Sequence, residues 1–78
     1  MGEHLQEYLR VLESDEELRE GLRTDPADTL NAARLSKEEK DALKSGDLDR
    51  VSREAGGVEI APSVGEAIKD MAKRLKEA

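Results

Sequence analysis

The sequence predicts an all-α fold, a compact bundle of five or six short helices, on three observations. Apolar residues recur at the i, i+3, i+4, i+7 spacing of amphipathic helices through most of the 78 residues. Ser, Asp and Asp-Pro steps stand where those helices would begin, and Gly stands where they would end. The one stretch that starts to alternate apolar and polar residues, Val58 to Pro62, closes on a proline that forbids a central strand and leaves an extended connector or a lone edge segment. Composition pulls the other way: 41% of residues are charged and 1% aromatic, a balance that approaches disordered chains. The regular leucine spacing outweighs it for most of the length.

The first helix is expected over residues 4 to 13, with Leu5, Tyr8, Leu9 and Leu12 on one face and Glu7, Arg10 and Glu13 outward. Tyr8 is the only aromatic residue, and its ring is expected in the core with the hydroxyl at the rim. Ser14 and Glu17 have capping-box spacing, in which the serine hydroxyl accepts a helix N–H and the glutamate reaches back to the serine N–H. A second helix is then expected over residues 15 to 24, burying Leu18 and Leu22, either separate from the first or continuing it as a bent rod. Gly21 weakens its interior by roughly 1 kcal/mol relative to Ala, so packing must hold it.

Asp25-Pro26 predicts the third start, with Asp25 as cap and Pro26 at the first helical position, where its missing N–H costs nothing. Ala27, Leu30 and Ala33 line one face of that helix, which ends near Arg34. The stretch Leu35 to Asp49 is the most fully punctuated part of the chain. Ser36 and Glu39 form a second capping box, Gly46 supplies the left-handed residue that a helix end commonly needs, and Asp47 caps the next helix at once. Leu43, Leu48 and Val51 then share an apolar contact across the corner. Helix four is expected to run to about Ser45, and helix five from Leu48 to about Ala55.

Gly56-Gly57 reads first as a flexible C-terminal cap of helix five. Its second reading is the double-glycine signal at which leader peptides are cut, with Val51 and Glu54 upstream. After the connector, Ser63 and Glu66 make a third capping box, and Val64, Ala67, Ile68, Met71 and Leu75 keep helical spacing toward a basic end, Lys73, Arg74 and Lys76, that suits the helix dipole. The expected organisation is thus a helical domain over residues 1–57, followed over 58–78 by an extended connector and an amphipathic helix that packs on or follows it. The expected core is Leu5, Leu9, Leu12, Leu18, Leu22, Leu30, Leu35, Leu43, Leu48, Val51, Ile68, Met71 and Leu75.

Charge narrows the partners. The formal net charge is −6, and residues 1 to 57 carry all of it, nine Lys and Arg against fifteen Asp and Glu, while the remainder balances at four against four. Such a surface repels phosphate backbones and favours a basic-surfaced protein partner, so no nucleic acid is expected. No apolar run is long enough to span a bilayer and the start is polar, so neither membrane insertion nor a signal peptide is expected. A chain without cysteine fits the cytoplasm.

Chemistry is sparse. The serines sit at helix caps rather than beside a base, so no nucleophilic triad assembles. His4 and Glu7 lie one helical turn apart but give a metal only two ligands. Asp47 and Asp49 resemble the start of a calcium loop whose other ligands are missing. The paired carboxylates occupy solvated faces where ordinary pKa values hold. The expectation is a non-enzymatic chain that itself binds no metal or cofactor.

Leu22, Asp25-Pro26, Leu30, Leu35-Ser36-Lys37-Glu38-Glu39, Ala42-Leu43 and Ser45-Gly46-Asp47-Leu48 together resemble the signature of the LigA-like helical family, named for the small non-catalytic subunit of extradiol ring-cleaving dioxygenases. The resemblance spans roughly residues 18 to 55, and much of it is capping chemistry that other helical bundles share. The same module resembles the N-terminal binding domain of borosin precursors, ribosomally made peptides whose core is N-methylated on the backbone by a separate methyltransferase using S-adenosylmethionine. Both relatives imply a chain held by an enzyme. The short length leans toward the precursor, which makes Val58, Ile60 and Val64 the candidate modified segment and Gly56-Gly57 the candidate leader cleavage site. The alternatives are an accessory subunit of a dioxygenase and a structural domain that self-associates as a homodimer through its last helix.

Overall fold

The computed structural model describes residues 3–77, and among them the chain forms six helices and no strand: α1 (Glu3–Ser14), α2 (Glu16–Thr24), α3 (Pro26–Ala32), α4 (Lys37–Ser45), α5 (Leu48–Glu54) and α6 (Pro62–Glu77). The all-α bundle read from the sequence is therefore the observed fold. Its radius of gyration is 10.9 Å, near the roughly 11.5 Å expected for a folded chain of this length.

Helices α1 and α2 are separate, and Asp15 rather than Ser14 separates them. Asp15 takes an extended conformation and its carboxylate accepts the Leu18 N–H at 3.2 Å. The Ser14 hydroxyl instead donates to the Val11 carbonyl at 3.2 Å, so the expected Ser14–Glu17 capping box does not form. A carboxylate is the stronger acceptor at the positive end of a helix, which decides between two adjacent capping residues. Arg19 fastens the corner from the other side, its Nη1 donating to the Leu12 carbonyl at 2.6 Å and the Glu13 carbonyl at 2.9 Å at the end of α1.

Asp25 occupies the N-cap of α3 but makes no side-chain cap hydrogen bond; its carbonyl accepts the Thr29 N–H at 3.0 Å and Pro26 begins the helix. The helix stops at Ala32, two residues before the expected end. Pro26 and Leu30 are what it buries, while Ala27 is exposed and Ala33 half-buried, against the expected face. Thr29 approaches α2 so closely that a Cβ on Gly21 would lie 3.0 Å from its hydroxyl oxygen, so the glycine that weakens α2 also lets α3 pack on it.

The α4–α5 corner matches its sequence. Ser36 Oγ accepts the Glu39 N–H at 3.2 Å, and Glu39 Oε1 accepts the Ser36 N–H at 2.8 Å. Gly46 is left-handed at φ 72°, and a Cβ there would also meet the Ala72 Cβ at 2.7 Å, so two independent constraints demand glycine. Asp47 Oδ1 accepts the Asp49 and Arg50 N–H groups at 3.1 and 3.3 Å.

Gly56 and Gly57, both at positive φ, end α5. The chain then folds back, with the Ser52 hydroxyl donating to the Val58 carbonyl at 2.6 Å. The expected Ser63–Glu66 capping box is absent, because α6 begins at Pro62 and Ser63 lies inside it; the Gly65 N–H bonds the Ala61 carbonyl at 2.9 Å. Proline at the first helical position outcompetes the serine one residue later.

Helix α6 runs through the bundle and touches α1, α2, α3 and α4, with α2 its most extensive neighbour. It buries Val64, Ala67, Ile68 and Met71 in the same cluster as Leu5, Leu9, Leu12, Leu22, Leu30, Leu43 and Val51, and buries Ala72 against Gly46. Leu18, Leu35, Leu48 and Leu75, expected inside, are only partly buried against that cluster. Ala42, Ala55, Val64, Ala67 and Ala72, absent from the expected core, are buried, because small residues let helices approach closely enough to cover them. Arg23 lies 3.2 Å from Asp70 and joins α2 to α6; its Nε–H is not aligned on the carboxylate, so the contact is one of charge rather than a hydrogen bond.

Candidate functional site

A groove of about 490 Å³ opens where α1, the start of α2 and the α3–α4 connection meet. Its walls are His4, Glu7, Tyr8 and Val11 from α1, Leu18 from α2, and Ala32, Ala33, Arg34 and Leu35 from the connection. Each piece has a local cause. Helix α1 presents its main apolar stripe to the core and a second stripe, His4, Tyr8 and Val11 at i, i+4 and i+7, to the groove. The Asp15 break turns α2 so that Leu18 comes alongside. The early end of α3 leaves Ala33 to Leu35 outside any helix on the remaining side, with Ala33 extended.

Glu39 fixes this arrangement. It is the one buried charged residue among the described residues, 5% exposed. While its Oε1 caps its own helix, its Oε2 accepts the Leu5 N–H of α1 at 2.9 Å. A single carboxylate thus serves the positive ends of two helices 34 residues apart. Burial pushes the Glu39 carboxyl up, but the N–H groups of Ser36 and Leu5, the Ser36 hydroxyl and the charge of His4 outweigh it and hold the carboxyl below the usual value.

The groove itself is less satisfied. Val11 is 41% exposed, the one large hydrophobic residue so exposed among the described residues. The Tyr8 hydroxyl, expected at the rim, is instead buried and has no hydrogen-bond partner among the described residues. Burial raises its pKa above the ordinary tyrosine value. The floor of Tyr8, Val11, Leu18 and Leu35 is apolar, and His4, Glu7 and Arg34 are the polar groups of its walls. His4 and Glu7 both stand on its wall, but among the described residues no three His, Asp or Glu side chains converge as a metal site needs.

The other predicted site residues lie elsewhere. Gly56 and Gly57 are exposed, Val58 and Ile60 half-buried against the core, and Val64 is 1% exposed on α6. Val58, Glu59, Ile60 and Val64 gather beside Leu9, Arg10 and Glu13 of α1 around a smaller cleft of about 130 Å³. Ser36, Glu39, Gly46 and Asp47 make the cap contacts of α4 and α5 and do not line the groove. Val11 is not among the residues the sequence singles out; its signal is an apolar residue off the main stripe of α1.

No helix among the described residues is long and apolar enough to cross a membrane. Comparison with protein-family models, curated proteins and solved structures finds no match to this chain.

Proposed function

We propose that this chain is a non-catalytic helical recognition module that a partner enzyme holds by the α1–α2 groove. The observation that carries the reading is Val11, exposed beside Tyr8, Leu18 and Leu35 while the other large apolar side chains of α1 turn inward.

The segment on which the partner acts is the connector and the start of α6, which makes the chain a borosin-like precursor. Among the described residues, the N–H groups of Val58, Ile60 and Val64 donate to no group of the chain, because the first two lie outside helices and the third is in the first turn of α6. Replacing such a hydrogen by methyl breaks no internal bond. The methyl would come from the sulfonium of S-adenosylmethionine held by the partner, and the amide proton would leave to a base in that enzyme. Val64 is the hardest of the three to reach, since its side chain lies in the core.

Co-production of the chain with enzymes encoded beside it, followed by fragment mass spectrometry, tests this. Methyl mass increments confined to Val58–Val64 are expected. An unmodified chain in a stable complex with a dioxygenase catalytic subunit would replace this reading with the accessory-subunit one.

A further inference from the structure

The groove is flanked by the most acidic part of the chain. Residues 3 to 20 hold seven Asp and Glu against two Arg, five of the six net negative charges. Glu7 stands on the groove wall itself. Asp15, Glu16 and Glu17, all exposed, lie on the short corner that joins Val11 to Leu18, two residues of the apolar floor. Arg34 is the single Lys or Arg of the lining.

An apolar floor beside carboxylates matches one class of occupant well. Apolar side chains at i, i+3 and i+4 seat in a groove as anchors, and flanking Lys or Arg meet the carboxylates while staying hydrated. An acidic helix would place like charges together, which costs more than the floor returns. A nucleic acid or anionic membrane is repelled by the same field.

We propose that the groove binds a basic amphipathic helix of the partner, its apolar side chains on Tyr8, Val11, Leu18 and Leu35 and its Lys or Arg side chains beside Glu7 and the Asp15–Glu17 corner. The inference rests on the docking role proposed above and adds the chemistry of what docks.

The test uses two fluorescein-labelled model helices of equal length, one of Leu and Lys and one of Leu and Glu, titrated into the full chain and followed by anisotropy. The Leu/Lys helix should bind at least about tenfold tighter than the Leu/Glu helix, with the preference shrinking as ionic strength rises. Val11→Gln should weaken Leu/Lys binding on the order of fivefold through lost apolar burial. Glu7→Gln should weaken it about two- to threefold and flatten its salt dependence. If both helices bind alike and Val11→Gln weakens both, the groove is a docking site and the charge class is wrong. If Leu/Lys binding ignores Val11→Gln, the groove itself is wrong. No Leu/Lys binding at about 1 mM peptide, well beyond the affinity a groove of this kind gives, overturns the inference.

Discussion

The α4–α5 corner and the α1–α2 groove lie on one small bundle and differ in how completely their polar groups are satisfied. At the corner, Ser36, Glu39 and Asp47 all make their capping bonds, Gly46 takes the conformation its position demands, and Glu39 reaches a second helix. At the groove, a hydroxyl is buried without a partner and a valine faces solvent. The contrast separates residues whose bonds hold the fold from residues the fold leaves unsatisfied. Substitutions at the corner should therefore act on stability, and substitutions in the groove on binding.

The largest effect is expected at Glu39. Glu39→Ala leaves the Ser36 and Leu5 N–H groups without their acceptor in a buried setting and should cost about 2–4 kcal/mol in urea unfolding at pH 7. Glu39→Gln retains an acceptor and should cost less. Because the folded carboxyl is held below its ordinary value, its stabilisation is complete above the unfolded value of about 4.3 and is lost as pH falls through the lower folded value. The wild-type loss on going from pH 5 to about pH 3 should accordingly shrink in Glu39→Gln. An equal loss in both would remove Glu39 from the comparison.

Gly46→Ala comes next. It combines a left-handed backbone with a Cβ 2.7 Å from the Ala72 Cβ, and about 2–3 kcal/mol should be lost, read as a lower urea midpoint. Serine substitutions sharpen the contrast within the capping residues. Ser36→Ala should cost about 1 kcal/mol, whereas Ser63→Ala should stay within about 0.5 kcal/mol, since only the first accepts a helix N–H.

Those two serines show what was legible in the sequence and what was not. Ser36, Gly46 and Asp47 could be read because each acts on neighbours a few residues away. Ser14 and Ser63 carry the same signature but lose to Asp15 and Pro62, adjacent residues whose stronger claim is a matter of competition rather than pattern. The buried alanines escaped because an alanine on a helix is buried only if another helix comes close to it. The second bond of Glu39 escaped because it joins residues 34 apart. The groove escaped for the same reason: Val11, Leu18 and Leu35 belong to three segments whose meeting depends on the Asp15 turn and the early end of α3.

The smallest stability effects are expected in the groove. Val11→Gln should leave unfolding unchanged within about 0.5 kcal/mol because the side chain is largely exposed. Tyr8→Phe removes a buried, unpartnered hydroxyl and should be neutral or stabilising by up to about 1 kcal/mol. A clear destabilisation by Tyr8→Phe would mean that the hydroxyl is satisfied in solution and would weaken the distinction between the two regions.

The most direct measurement of the proposed docking role is amide chemical-shift mapping of the isotope-labelled chain during titration with the proposed partner enzyme. Perturbations should concentrate on the groove, at Tyr8, Val11, Leu18 and Ala33 to Leu35, with a second set only where the enzyme reaches the connector. A footprint centred on Lys69, Lys73 and Lys76 of α6, with the groove amides unmoved, would contradict it.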